Sequence, residues 1–331
     1  MSLDNTLHLD HLWSQITATI HASQRILIAA HRGPDGDAVG SALGLYATLQ
    51  ALGKDVTLYD SAPYPERFDF LPNLHALTTS LDPQAYFDAT ILCDCGELTR
   101  APEGFPPRER LGTFIVLDHH ITSGLEGDIN LNNPNSPATG LLILELAQRL
   151  HVPLLPAIAK SVYCALLSDT GGFRYQKTSP AALRAAAELL EAGVDPWEVS
   201  SGLFESNPIE RQRLLALCLH TLDLRNNGLI AFLHVTEEMF HQTNSDASMT
   251  DGFVNFGRGI KGVEVAAFLR PLPQGWKVSM RSRGRVNVSG VASHFGGGGH
   301  QQAAGTVLQG DLEQVKQAIL LSLLPQLQTL T

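Results

Sequence analysis

"RILIAAHRGPDGDAVGS", residues 25–41, sets an apolar run directly against a turn carrying one histidine and two aspartates. The run at 25–30 reads as a strand buried on both faces, the kind a covered parallel sheet requires. Beyond the turn, "DAVGSALGLYATLQAL" (37–52) is small, apolar and helix-like, and it stops at Gly53. Residues 25–52 are therefore a strand, a polar turn and a helix. Ligands of open α/β sheets bind just past the carboxyl ends of the strands, where this turn falls.

The same grammar continues outward. "DVTLYD" (55–60), "ATILCD" (89–94) and "TFIVLD" (113–118) are apolar and strand-like, and helical stretches come after them at 138–150, 155–167 and 180–192. The pattern predicts an α/β domain over 1–195, its mainly parallel sheet covered by helices on both faces. The polar stretch "AGVDPWEVSSGLFESNPIERQ" (192–212) interrupts it, with Pro196 and Pro208. It is read as a linker over 196–226 holding a connecting helix through Leu222. A smaller α/β domain with a mixed sheet is expected over 227–331. Its strands are "LIAFLHV" (229–235), "VEVAAFLR" (263–270) and "WKVSMRSR" (276–283), and an amphipathic helix starts at Asp311.

Composition narrows the function classes. The chain has 331 residues, 44% hydrophobic and 17% charged, values of a globular protein with two cores. No apolar run approaches the ~20 residues of a membrane helix. "MSLDNTLHLD" lacks the basic and apolar regions of a signal peptide. Cys93, Cys95, Cys164 and Cys218 sit mostly in apolar segments and read as reduced thiols of a cytoplasmic protein. Cys93 and Cys95 resemble half of a soft metal site, but no second pair completes it. The net charge is −10 and uneven: residues 1–250 carry 15 basic against 29 acidic residues, and residues 251–300 carry seven against two. A protein that coats long nucleic acid is basic overall. An acidic body with a local basic patch suits metal cations on one part and a small anionic substrate on the other.

Four segments bring acids and histidines to one sheet edge. His31, Asp35 and Asp37 come just after the first strand, Asp94 ends another, Asp118, His119 and His120 end a third, and Asp169 succeeds "SVYCALLS". Asp35 or Asp37 alone would be read as a helix cap. Four coincident placements point to metal. Carboxylate and imidazole without thiolate suit Mn²⁺, Mg²⁺ or Co²⁺, with Zn²⁺ as an alternative. Six or more candidate ligands exceed the needs of one ion and suit two ions sharing a carboxylate, the arrangement that clamps both oxygens of an in-line displacement.

In order along the chain, "HRGPDGDAVGS", "DCGE", "LDHH" and "SDTGGFRY" resemble the four motifs of the DHH phosphoesterase family. "RSRGRVNVSGVASHFGGGGHQQAAG" (281–305) resembles the glycine-rich signature of the DHH-associated C-terminal domain. The two-domain organisation is most similar to the nanoRNase/pAp-phosphatase (NrnA-like) group. The resemblance implies a first ion on His31, Asp35 and Asp94, and a second on Asp37, Asp94, His119 and Asp169, with Asp94 bridging. It places His120 on the substrate phosphate. Asp118 is expected to orient a neighbouring histidine, so His120, Asp94 and Asp118 form the catalytic set. The implied cofactors are two divalent ions, Mn²⁺ first, then Mg²⁺ or Co²⁺. The implied reaction is hydrolysis, by a metal-bridging hydroxide, of short oligoribonucleotides, linear dinucleotides or pAp.

In the C-terminal signature, a glycine run lets backbone N–H groups approach an anion, and guanidinium forks match phosphate oxygens. The expected substrate-binding set is Arg281, Ser282, Arg283, Asn287, Gly297, Gly298, Gly299 and His300. Arg281, Arg283 and Arg285 share one face if the strand persists. Phe173 and Tyr175 could stack on a base or pack in a core. A soluble cyclic-di-AMP phosphodiesterase and a catalytically inactive nucleotide-binding sensor are the alternatives. An inorganic pyrophosphatase fits less well, because the glycine-rich signature points to a nucleotide. No track for long nucleic acid and no membrane contact are expected, and the chain is read as a monomer or homodimer.

Overall fold

The computed structural model describes residues 3–120 and 124–328. The chain divides into two compact units, Met1–Ser206 and Asn207–Thr331. The first runs α1 (Leu3–Ala22), β1 (Arg25–Ala29), α2 (Gly36–Ala51), β2 (Asp55–Tyr59), β3 (Leu77–Thr78), β4 (Ala89–Cys93), β5 (Thr113–Asp118), β6 (Ile129–Asn132), α3 (Thr139–Arg149), α4 (Pro156–Asp169), α5 (Pro180–Glu191) and α6 (Pro196–Phe204). Its six strands pair in parallel in the order β3-β2-β1-β4-β5-β6. The chain winds one way from β1 and the other way from β4. The crevice between the ends of these two strands is a topological switch point, where such sheets bind ligands.

Alternate residues of each central strand face opposite layers. Ile26, Ile28, Ile91, Cys93, Ile115 and Leu117 point into one core with Trp13, Ile16 and Ile20 of α1 and the inner faces of α2 to α6. Leu27, Ala29, Leu92, Phe114 and Val116 point the other way. α-Helices cover one side of the sheet and not both as expected; the other side is covered by connecting segments around Leu81, Phe87, Leu98, Phe105 and Leu111. On the helical side α2 and α4 meet at backbone distance. A Cβ on Gly40 would lie 2.4 Å from the Ser161 carbonyl oxygen, so only glycine fits there. That approach fixes α2, and with it Asp37, against the rest of the sheet.

The segment read as a linker is shared between the units. α6 buries Val199 and Gly202 and packs in the first core. α7 (Ile209–His220) buries Leu214 and Cys218 in the second. The two prolines that suggested an interruption start these helices: Pro196 is at the first helical position of α6 and Pro208 caps α7.

The second unit continues with β7 (Asp223–Arg225), β8 (Ile230–His234), α8 (Glu237–Thr243), α9 (Val254–Arg258), β9 (Val265–Leu272), β10 (Gly275–Ser282), α10 (Val288–His294), β11 (Gly298–His300), β12 (Ala303–Leu308) and α11 (Leu312–Leu327). Its sheet, in the order β11-β12-β10-β9-β8-β7, is mixed: β8 and β9 pair in parallel and the rest antiparallel. Asp311 opens α11 with a reciprocal capping box to Gln314. All four cysteines are buried and unpaired with one another. Among the described residues no helix is long and apolar enough to cross a membrane.

Candidate metal centre

The first unit brings its acidic and imidazole residues together at the carboxyl edge of the sheet. His31, Asp35 and Asp94 offer ligand atoms within 4.8 Å of one another, as do Asp37, His119 and Asp169, and Asp94, Asp118 and His120. Asp94 links the first two groups. Its Oδ2 stands 3.7 Å from His31 Nε2, and its Oδ1 stands 3.5 Å from His119 Nε2. One carboxylate thus turns an oxygen to each group.

Each side chain is held by contacts the fold supplies. Asp35 is the N-cap of α2 and accepts the N–H groups of Asp37 and Ala38 through Oδ1, so its capping role and its place in the cluster coincide. Asp37, inside the first turn, accepts from the Ser41 hydroxyl at 3.0 Å and from the backbone N–H groups of Thr139 and Gly140 at 2.8 and 3.0 Å. Those two N–H groups open α3, and a helix N-terminus favours a carboxylate. The Thr139 hydroxyl donates to Asp94 Oδ1 at 2.8 Å. Asp94 itself adopts a left-handed backbone, φ 57°, uncommon outside glycine.

The histidines are oriented by their second nitrogens. His119 Nδ1 lies 3.0 Å from the Ser136 carbonyl oxygen. A carbonyl can only accept, so Nδ1 carries the proton and Nε2 presents its lone pair to Asp37, Asp94 and Asp169 at 3.4, 3.5 and 3.5 Å. His31 obeys the same rule through the Arg32 carbonyl at 3.1 Å. His120 differs. Its Nδ1 is 2.7 Å from Asp118 Oδ1, which also accepts the backbone N–H groups of His119 and His120. Asp118 is fully buried and holds His120 in place.

The electrostatics suit a bound cation. Burial raises the Asp94 carboxyl well above its ordinary range, and Asp37, Asp35, Asp118 and Asp169 push it further. Burial does the same to Asp37, with Asp169 and Asp35 adding to it. Burial holds the His119 imidazole below its usual value, which keeps it neutral and able to ligate. Buried carboxylates facing unprotonated imidazole nitrogens are the donor set of hard divalent ions. His31, Asp35, Asp37, Asp94, His119 and Asp169 together offer such a donor set, and they fit a divalent metal. Cys93 and Cys95 are not part of the set: Cys93 packs in the core, and Cys95 Sγ contacts the Glu97 carbonyl oxygen.

In the second unit the signature residues do different work. Ser282 is buried, donates to the Val286 carbonyl at 2.7 Å and accepts from the Gly284 N–H. β10 ends at Ser282 and the chain turns at Gly284, φ 117°, so Arg285 leaves the strand that carries Arg281. The Arg283 guanidinium donates to the carbonyl oxygens of Arg258 and Ile260, and Arg285 pairs with the buried Glu264. Asn287 caps α10 by accepting the Gly290 N–H. A Cβ on Gly297 or Gly299 would strike the Gly305 or Ala303 carbonyl oxygen across the β11–β12 pair, whereas Gly298 faces open space. Arg281 lies half-buried opposite Ala303 on β12, where β11 places His300 also opposite Ala303. Phe173 makes an edge contact with Tyr163, and Tyr175 lies against Gly171; both are half-buried.

Sequence reasoning passes over Ser136, Thr139 and Ser41, which orient the ligands. Thr139 carries a readable signal, since "SPATG" (136–140) is a helix-start pattern just after a strand.

Comparison with known proteins is consistent with this geometry. Residues 25–166 match the DHH family, N-terminal domain, and residues 226–323 match the DHHA1 domain. The chain is 37% identical over 296 residues to the bifunctional oligoribonuclease and PAP phosphatase NrnA of Thermus thermophilus, covering 89% of this chain and 88% of that protein. It is 25% identical over 299 residues to the bifunctional oligoribonuclease and PAP phosphatase NrnA of Bacillus subtilis, covering 88% and 92%. An exopolyphosphatase-related protein from Bacteroides fragilis superposes with a TM-score of 0.86 at 25% identity, covering 95% of this chain and 96% of that one.

Proposed function

The chain belongs to the DHH family, with a DHHA1 domain as its second unit, and from that premise we propose that it hydrolyses short oligoribonucleotides and pAp to mononucleotides. It is a phosphoesterase. The observation that carries the reading is the division of Asp94, one oxygen toward His31 and the other toward His119.

Two divalent ions, Mn²⁺ by preference, would be held by His31, Asp35 and Asp94 and by Asp37, Asp94, His119 and Asp169. Bound there, they supply positive charge to the phosphoryl oxygens and make water acidic enough to act near neutral pH. The chain's own residues fix the rest. Ser41, Thr139 and Gly140 hold Asp37, so its carboxylate cannot swing away. Ser136 fixes the His119 tautomer. Asp118 fixes His120 Nδ1, so any hydrogen bond from that ring to a phosphoryl oxygen is made at Nε2. Arg281, His300 and the Gly298 turn supply the grip on a terminal phosphate. The acidic first unit offers no basic track for further phosphates, which favours short substrates. Buried thiols without disulfides suit a cytoplasmic enzyme.

The test is a substrate panel with the metal-stripped protein and added Mn²⁺: RNA of two, five and about 24 residues, pAp and cyclic-di-AMP, with products resolved by mass. Mononucleotides from the two- and five-residue RNA and AMP plus phosphate from pAp are expected. Turnover of cyclic-di-AMP or the long strand alone, or binding without turnover, would overturn the proposal.

A further inference from the structure

Lys177 lies at the end of the turns that follow Asp169, the last residue of α4, and brings an ammonium to one side of the acidic edge. Its Nζ lies 3.4 Å from Asp169 Oδ2, which accepts from it, and 3.2 Å from His119 Nδ1, whose proton faces the Ser136 carbonyl, so Asp169 is the partner the ammonium holds. Asp169 Oδ2 is also the oxygen that stands 3.5 Å from His119 Nε2, inside the group of Asp37, His119 and Asp169. The other group is built differently. Among the described residues, no lysine or arginine is ion-paired to Asp35 or Asp94. Two clusters that look alike in ligand type therefore differ in one charge.

We propose that Lys177 competes for the carboxylate oxygen that the Asp37–His119–Asp169 ion needs, which makes that ion the weaker and later-bound of the two. The inference rests on the two-ion reading of the site. An ammonium and a divalent ion repel each other and cannot share Asp169 Oδ2, so the incoming ion must displace Nζ. Lys177 can yield: its side chain is 32% exposed, and its four-carbon stem reaches solvent. His119 cannot, because Ser136 holds its ring. Lys177 is thus a positioning residue that acts on ion occupancy and not on substrate. Its consequence is a site half filled at low Mn²⁺ and completed only as Mn²⁺ rises.

Calorimetric titration of the metal-stripped full chain with Mn²⁺ tests this. Wild type should show two classes of site. In Lys177→Gln the weaker class should tighten roughly tenfold, the size of one charge-assisted hydrogen bond discounted for exposure, while the tighter class stays put. Lys177→Met should repeat this, and Lys177→Arg should keep the gap. Two equal classes in wild type, or a weaker class that is unchanged or weaker still in both neutral variants, would overturn the role of Lys177. Fewer than two ions at saturation in wild type would overturn the two-ion reading itself.

Discussion

At the carboxyl edge of the first sheet, segments as far apart as Asp37 and Asp169 deliver side chains whose polar atoms face one another. At the β10–β11 end of the second sheet, side chains that are neighbours in sequence bond mostly to nearby backbone. The first arrangement concentrates like charge in a buried place, which folding alone would avoid, since burial of unpaired carboxylates is costly. The second satisfies its own donors and is stable as it stands. A motif of the first kind is chemistry held by a scaffold. A motif of the second kind is largely scaffold, with chemistry confined to the few residues that the turn displays.

The sharpest way to break this contrast is to remove charge from the first region. Asp94→Asn keeps shape but loses the carboxylate that faces both groups. It should lower kcat by about 10³ or more and reduce bound Mn²⁺, with the circular dichroism spectrum unchanged. His120→Ala should lower kcat by about 10²–10³ with Mn²⁺ content near wild type, because His120 is tied to Asp118 and is read as a phosphate contact. Normal activity with two bound ions in Asp94→Asn, or loss of one ion in His120→Ala, would redraw the site.

The second region separates by readout. Arg281→Ala should raise KM for a dinucleotide by about 10–100-fold and leave a small activated phosphodiester nearly untouched. Arg283→Ala should instead lower thermal stability, because it removes a guanidinium donor from the Arg258 and Ile260 carbonyl oxygens. If Arg283→Ala weakens dinucleotide binding as much as Arg281→Ala does, at unchanged stability, the division between display and scaffold fails.

The smallest effect concerns acid. His234 Nδ1 is buried without a hydrogen-bond partner, and burial holds the ring below its usual value. The folded state therefore stays neutral in a window where the unfolded chain, near pH 6.5, takes up a proton. The unfolded state binds more protons there, so stability is fully present above about pH 6.5 and declines as pH falls toward the lowered folded value. The ring is half-buried, so the loss should stay under about 1 kcal/mol. His234→Phe should flatten that part of the unfolding-versus-pH curve, measured by urea melts; an unaltered slope would assign the sensitivity elsewhere.

The sheet is legible because buried parallel strands are written as continuous apolar runs, and β1, β2, β4 and β5 fall where those runs fall. Two strands of this first sheet escape notice for physical reasons. β3 is two residues long, and β6, at the sheet edge, alternates buried and half-buried positions over only four. The helix α1 is missed as well, although Trp13, Ile16 and Ile20 keep its inner face apolar at helical spacing. The residues of the acidic cluster are legible from type and place, since a parallel sheet delivers every strand end to one edge. The residues that orient them are not, because a hydroxyl or carbonyl becomes an orienting group only through tertiary geometry. Strand parity misleads for Arg285: the chain turns at Gly284, φ 117°, before Arg285 can share a face with Arg281.

The left-handed backbone of Asp94 sets two selective pressures against each other. The conformation costs a non-glycine residue about 1 kcal/mol, and glycine would remove that cost together with the carboxylate. Replacement there is a route to a sturdier protein that, under the proposed function, would abandon catalysis. A lineage selected only to persist in the cell would drift away from aspartate at this position. A lineage that keeps it would, under the proposed function, give up folding stability for metal binding.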